Sequence, residues 1–82
     1  MTLIELYHSD TCPNCHYVRA QLLEVLPRGV KFKEINTSSP DGAAHAKEMG
    51  ILEVPTITID GEIMFIGRVD KDEIEQEIKL HI

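Results

Sequence analysis

An 82-residue chain with 43% hydrophobic and 27% charged side chains has the composition of a folding domain. Its size leads to an expected radius of gyration near ~12 Å and leaves no room to enclose a large cofactor. Eight Lys and Arg against 14 Asp and Glu give a net charge of −6, which opposes phosphate attraction and argues against a nucleic-acid partner.

Thr2 to Tyr7 is a nearly continuous apolar run, as expected of a strand buried on both faces. From Cys12 to about Leu26, Val18, Leu22, Val25 and Leu26 recur at helical spacing; Pro13 is tolerated in the first turn and Pro27-Arg28-Gly29 ends the helix. Val30 to Ile35 alternates Val30 and Phe32 with Lys31 and Lys33, the pattern of an edge strand with one wetter face. Ser39 is placed to cap a short second helix through Pro40, Asp41, Ala43, Ala46 and Met49, stopped by Gly50. Thr56–Ile59, the turn pair Asp60-Gly61 and Ile63–Ile66 then form a hairpin. Asp70 with Glu73 resembles a capping box, and Ile74, Ile78 and Ile82 form one stripe on a last helix. The expected fold class is α/β, a four-stranded mixed sheet in β-α-β-α-β-β-α order with helices on both faces, within one domain over residues 1–82. Met1-Thr2-Leu3-Ile4-Glu5 lacks the basic and apolar regions of an export signal, and no apolar run approaches the roughly 18 residues of a membrane span. The expected setting is cytoplasmic, with no membrane partner.

The chain's two cysteines, Cys12 and Cys15, are too few for a scaffold held by several bridges, and a cytosolic pair of this kind is usually catalytic or metal-binding. Cys12-Pro13-Asn14-Cys15 falls where a strand ends and a helix begins. Positions i and i+3 there lie within reach of a disulfide. Unpaired helix N–H groups favour a thiolate, which makes Cys12 the expected nucleophile and Cys15, one turn inside the helix, the expected resolving thiol. Pro13 stiffens the turn. His16, four residues after Cys12, can support the thiolate when protonated, or can simply be a solvated histidine. A metal site is not expected, because His8, His16, His45 and His81 are scattered without a second ligand pair. Cys12-Pro13-Asn14-Cys15-His16 also matches the haem-attachment pattern, but a chain this small and strand-rich offers little enclosure for a macrocycle.

Together, Cys12-Pro13-Asn14-Cys15 after a short strand, Val54-Pro55-Thr56 before a hairpin and the order of elements resemble the thioredoxin/glutaredoxin superfamily across essentially the whole chain. By length the chain is similar to small glutaredoxin-like members, some of which act as thioredoxins. The resemblance implies a thioredoxin fold with a cis Pro55 beside the cysteines and a Val54 backbone that pairs with substrate. It implies thiol–disulfide exchange through Cys12 and Cys15; beside them the expected supporting residues are Pro13, Asn14, Pro55 and His16, and the expected substrate-facing residues are Val54, Thr11, Gly67 and Tyr7, although a tyrosine at a strand end is more often a packing residue. The implied partners are disulfide-containing proteins and a thioredoxin-reductase-like or small-thiol electron donor, with no cofactor and no need for more than a monomer.

Departures from the family bear on substrate. Glutaredoxins carry a lysine, a Thr-Val-Pro segment and a Gly-Gly pair with following acids where this chain has Ser9, Glu53-Val54-Pro55 and Gly67-Arg68-Val69-Asp70. The lost cation and added anion weaken attraction for glutathione's carboxylates, although Arg68 can restore some of it. Thioredoxins carry a tryptophan, a Gly-Pro pair and a buried aspartate where this chain has Thr11, Pro13-Asn14 and Leu6. The expectation is a disulfide reductase of thioredoxin-like activity; the alternatives are a glutathione-dependent glutaredoxin and a redox-inert or metal-binding adaptor.

Overall fold

The apolar run near the start of the chain becomes β1 (Leu3–His8), and the residues from Ile4 to Tyr7 are all buried, because β1 is flanked by strands on both edges and by helices on both faces. The computed structural model describes residues 2–82. After β1 come α1 (Pro13–Val25), β2 (Lys31–Asn36), α2 (Pro40–Glu48), β3 (Thr56–Ile59), β4 (Glu62–Ile66) and α3 (Lys71–His81). The sheet order is β2-β1-β3-β4. β1 runs parallel to β2 from Leu3↔Lys31 to His8↔Asn36 and antiparallel to β3 from Ile4↔Ile59 to Tyr7↔Thr56. The radius of gyration is 11.7 Å, in line with the size scaling.

Side-chain alternation divides the interior in two. Ile4, Leu6, Ile57 and Ile59 pack with Val18 and Leu22 of α1 and Ile74 and Ile78 of α3. Tyr7 packs on the opposite face with Ala46 of α2 and Ile51. Each fully buried aliphatic side chain contributes roughly 1.5–3 kcal/mol relative to exposure.

Three helical expectations need correction. The buried residues of α2 are Gly42 and Ala46, whereas Ala43 is exposed. The reason is a close approach: a Cβ on Gly42 would stand 1.8 Å from the Asn36 carbonyl oxygen, so only glycine lets the helix settle there. Asp70 is the N-cap residue of α3 but makes no side-chain cap bond; its carboxylate accepts the Tyr17 hydroxyl instead. The isoleucine stripe stops at Ile78, because Ile82 lies beyond the last helical turn and is 68% exposed. The hairpin also carries a register shift at Ile57/Thr58, which simple alternation does not reveal. Its Asp60-Gly61 turn has both residues at positive φ, 51° and 83°, the combination that suits a tight turn between twisted strands.

The topology has one functional consequence. Tyr7 pairs with Thr56, and Thr56 with Ile66, so β1, β3 and β4 share a row at one end of the sheet. The segments just beyond that row are Ser9–Cys12, Val54–Pro55 and Gly67–Arg68. Neighbouring strands lie about 4.8 Å apart, and these three distant stretches of sequence therefore emerge side by side.

Candidate functional site

Cys12 ends the segment leaving β1 and is the N-cap of α1, in an extended conformation with φ −106° and ψ 101°. Pro13 follows at the first helical position, where its missing N–H has no intrahelical partner to lose. Cys12 and Cys15 form a disulfide with Cα atoms 5.2 Å apart. The Cys15 N–H donates to Cys12 Sγ at 3.1 Å, so a sulfur occupies the place a capping hydroxyl or carboxylate ordinarily fills. Burial separates the two cysteines: Cys12 is half-buried, whereas Cys15 is only 4% exposed. Thr11, Pro13 and Asn14 are exposed around them, and His16 is exposed on the next turn.

The cysteine loop is tied to the neighbouring β2–α2 connection. Asn36 Nδ2 donates to Asp10 Oδ1 at 2.9 Å, the Asp10 N–H donates to Ser38 Oγ at 3.0 Å, and the Thr37 N–H donates to the His8 carbonyl at 2.7 Å. Beside Cys15 opens a cleft of about 270 Å³ lined by His8, Ser9, His16, Arg19 and Glu34. Arg19 and Glu34 form an ion pair across it.

On the other side lies the Val54–Pro55 peptide, which is cis. The Gly67 N–H, at φ 90°, donates to the Pro55 carbonyl at 2.8 Å, joining the β4–α3 loop to the cis-proline loop. The Thr56 hydroxyl donates to the Glu53 carbonyl at 2.6 Å. The Val54 N–H and C=O have no backbone partner among the described residues. Beyond Gly67, the Arg68 guanidinium carbon lies over the Tyr17 ring, 3.7 Å from its centroid. The hydrogen bond to Asp70 is the main cause that raises the Tyr17 phenol above its ordinary value.

One expected substrate-facing residue is misplaced. Tyr7 is fully buried and belongs to the α2-side core, where its ring lies parallel to His45 with centroids 5.9 Å apart. Its position in β1 turns it to that face, so it does not face substrate. Burial, with the Glu5 charge second, raises its phenol above the ordinary value.

Sequence reasoning passed over Glu5, which is 7% exposed. Its Oε1 accepts the Thr58 hydroxyl at 3.2 Å, and its Oε2 lies 3.8 Å from His45 Nε2. The signal was present: an acid inside a run read as buried on both faces must find partners. The Tyr17–Asp70 link joins residues 53 apart in sequence, and no local pattern announces it. Among the described residues no cluster of three or more His, Cys, Asp or Glu is suited to a metal ion, and no helix is long and apolar enough to cross a membrane.

Comparison with known proteins agrees with this geometry. A thioredoxin-domain family model matches residues 2–79. A thioredoxin of Methanocaldococcus jannaschii is 37% identical over 79 residues, covering 93% of this chain and 91% of that protein. A probable thioredoxin of Archaeoglobus fulgidus is 28% identical over 80 residues, covering 96% and 88%. Among solved structures, malarial thioredoxin-2 superposes with a TM-score of 0.84 at 11% identity, covering 99% of this chain and 84% of that one. Thioredoxin O2 of Arabidopsis thaliana gives 0.79 at 14% identity, covering 98% and 74%. At such low identities these two similarities speak to the fold alone. A redox-disulfide pair at the head of α1, the mixed four-stranded sheet that carries it and the family match together place this chain in the thioredoxin family, as a thiol–disulfide oxidoreductase.

Proposed function

We propose that the protein reduces disulfides in other proteins, with Cys12 as nucleophile and Cys15 as resolving thiol. The observation that carries this reading is the unequal burial of two bonded sulfurs at one helix N-terminus. In the reduced protein the Cys12 thiolate attacks one sulfur of a substrate disulfide. The substrate S–S bond breaks, a Cys12–substrate disulfide forms, and the leaving thiolate takes up a proton. Cys15 then loses its proton and attacks Cys12 Sγ, releasing the second substrate thiol and closing the Cys12–Cys15 bond. The substrate gains two electrons from the protein and two protons, one from Cys15 and one from solvent; a reductase or a small dithiol must return the two electrons to the protein.

Helix N–H groups favour the Cys12 thiolate, and His16 one turn on adds to this when protonated. Pro13 and Asn14 hold the turn. Exposed Thr11 and half-buried Val54 and Gly67 emerge at the same end of the sheet as Cys12, and the Val54 backbone, without a backbone partner among the described residues, suits an extended substrate segment added along this edge. The absence of a cation at Ser9 and the acid at Glu53 favour protein disulfides over glutathione. A reducing, cytoplasmic setting suits this direction of exchange.

The test is covalent trapping in a native extract. Cys15→Ser is expected to accumulate mixed disulfides that a thiol reductant releases, and Cys12→Ser to lose insulin reduction. Retention of insulin reduction by Cys12→Ser would overturn the assignment.

A further inference from the structure

The β4–α3 loop carries a cation that the exchange chemistry does not use. Arg68 is exposed and immediately follows Gly67, whose N–H is bonded to the cis-proline carbonyl. Its side chain therefore starts beside the same strand ends that deliver Cys12 and Val54. The nearby cations of the two helices are neutralised: Arg19 pairs with Glu34, and Lys71 Nζ lies 3.5 Å from Glu24 Oε2. Arg68 has no carboxylate within ion-pair distance among the described residues. The carboxylate closest in sequence, Asp70, accepts the Tyr17 hydroxyl.

Tyr17 thus has two functions. Its hydroxyl donates to Asp70 Oδ1, and its ring face supports the guanidinium at 3.7 Å. A guanidinium whose carbon rests over a ring keeps N–H donors for a planar anion, the chemistry by which arginine binds carboxylates. A guanidinium resting on an aromatic ring also loses less rotamer freedom when it makes such a bond.

We propose that Arg68 is a specificity-determining residue that selects disulfide substrates with an Asp or Glu side chain next to the reacting cysteine. This rests on the reading that Cys12 attacks protein disulfides. Glu53, exposed just before Val54, places the opposite charge on the neighbouring segment, so the surface presents a cation on one side of the cis-proline loop and an anion on the other. A substrate segment laid across it is read for charge order, and a basic residue facing Arg68 is disfavoured.

The experiment uses the reduced protein and synthetic peptides in which one cysteine is joined to 2-thiopyridine. Attack by Cys12 on the peptide sulfur releases a coloured neutral thione, and Cys15 then frees the peptide thiol. One peptide set varies the residue before the cysteine among Glu, Gln and Lys; a second set varies the residue after it. In at least one set, the second-order rate constant is expected to be about fivefold higher for Glu than for Gln at low salt, the scale of an exposed charge pair, and to narrow as salt is added. Arg68→Gln is expected to bring the Glu/Gln ratio to about one. Arg68→Glu reverses the order in favour of Lys, and Tyr17→Leu reduces the preference by loosening the stacked cation.

Equal wild-type rates across both sets, or a Glu preference that survives Arg68→Gln, would overturn the charge selection and leave the exchange reading standing. No reaction of the wild-type protein with any peptide would overturn both. Oxidised glutathione serves as a separate arm: a rate that depends on Arg68 for this compound alone would assign the carboxylate to a small thiol and refute the proposed polypeptide selection.

Discussion

The main-chain N–H of Cys15 donates to Cys12 Sγ at 3.1 Å, so the sulfur proposed to lead the chemistry is also the cap of the helix that carries it. Replacing that acceptor separates the two roles. Cys12→Ser retains a side-chain acceptor, whereas Cys12→Ala is expected to be about 1 kcal/mol less stable than Cys12→Ser. Urea denaturation of the two variants under reducing conditions makes the comparison; equal midpoints would mean that the cap bond contributes nothing.

In the reduced wild-type protein, iodoacetamide near neutral pH is expected to label Cys12 well before Cys15, because only Cys12 combines access with the helix N–H groups. Peptide mapping after partial labelling reads the order. Faster labelling of Cys15 would exchange the two proposed roles.

Gly42→Ala tests the close packing of α2 against the end of β2. The new Cβ would stand 1.8 Å from the Asn36 oxygen and 2.9 Å from Ser39 Oγ, and Ser39 Oγ itself accepts the Gly42 N–H at 3.0 Å. The expected cost is roughly 2–3 kcal/mol of overpacking and lost capping. Ala43→Ser, one position along on the exposed side, is the control and should cost less than about 1 kcal/mol; similar losses at both positions would contradict the observed helix register.

Tyrosine ionisation supplies the pH prediction. The Asp70 hydrogen bond holds the Tyr17 phenol above 10.0, and burial does the same for Tyr7. Groups whose pKa is raised by folding contribute stability that is fully present below the unfolded value near 10 and is lost as pH climbs through the folded values. With two tyrosines and no tryptophan, near-ultraviolet phenolate absorbance reports on both. The native titration should lie to the alkaline side of the denatured one, and Asp70→Asn should move part of it back. Superimposable native and denatured curves would refute both assignments.

The end of α3 gives a paired stability test. Ile78→Ala removes a side chain that is 3% exposed, whereas Ile82→Ala trims one that is 68% exposed. The first should cost roughly 2–5 kcal/mol and the second less than about 0.5 kcal/mol. Comparable losses would restore the longer isoleucine stripe that spacing alone suggests.

The elements were legible in the sequence wherever one physical signal dominated. The apolar run around Leu6, the Asp60-Gly61 turn and Ser39 ahead of Pro40 each specify local structure through burial, backbone freedom or capping. The cysteine pair was equally plain, because its spacing and its place at a strand-to-helix junction constrain the chemistry. What stayed hidden depended on partners distant in sequence. Asp70 has the pattern of a helix cap, yet Tyr17 claims its carboxylate. Tyr7 sits near the cysteines along the chain, yet the pleat turns it toward α2. Gly42 is silent until the Asn36 carbonyl is placed above it.

The row Tyr7–Thr56–Ile66 has a consequence for how such a protein diversifies. Every segment at the reacting sulfurs is suspended from this rung, while the side chains that hold the sheet together lie behind it. On the proposed reading, residues such as Arg68 and Glu53 can be exchanged for others without disturbing the framework, and a lineage built on this plan can change the clients it serves by rewriting a few outlying positions.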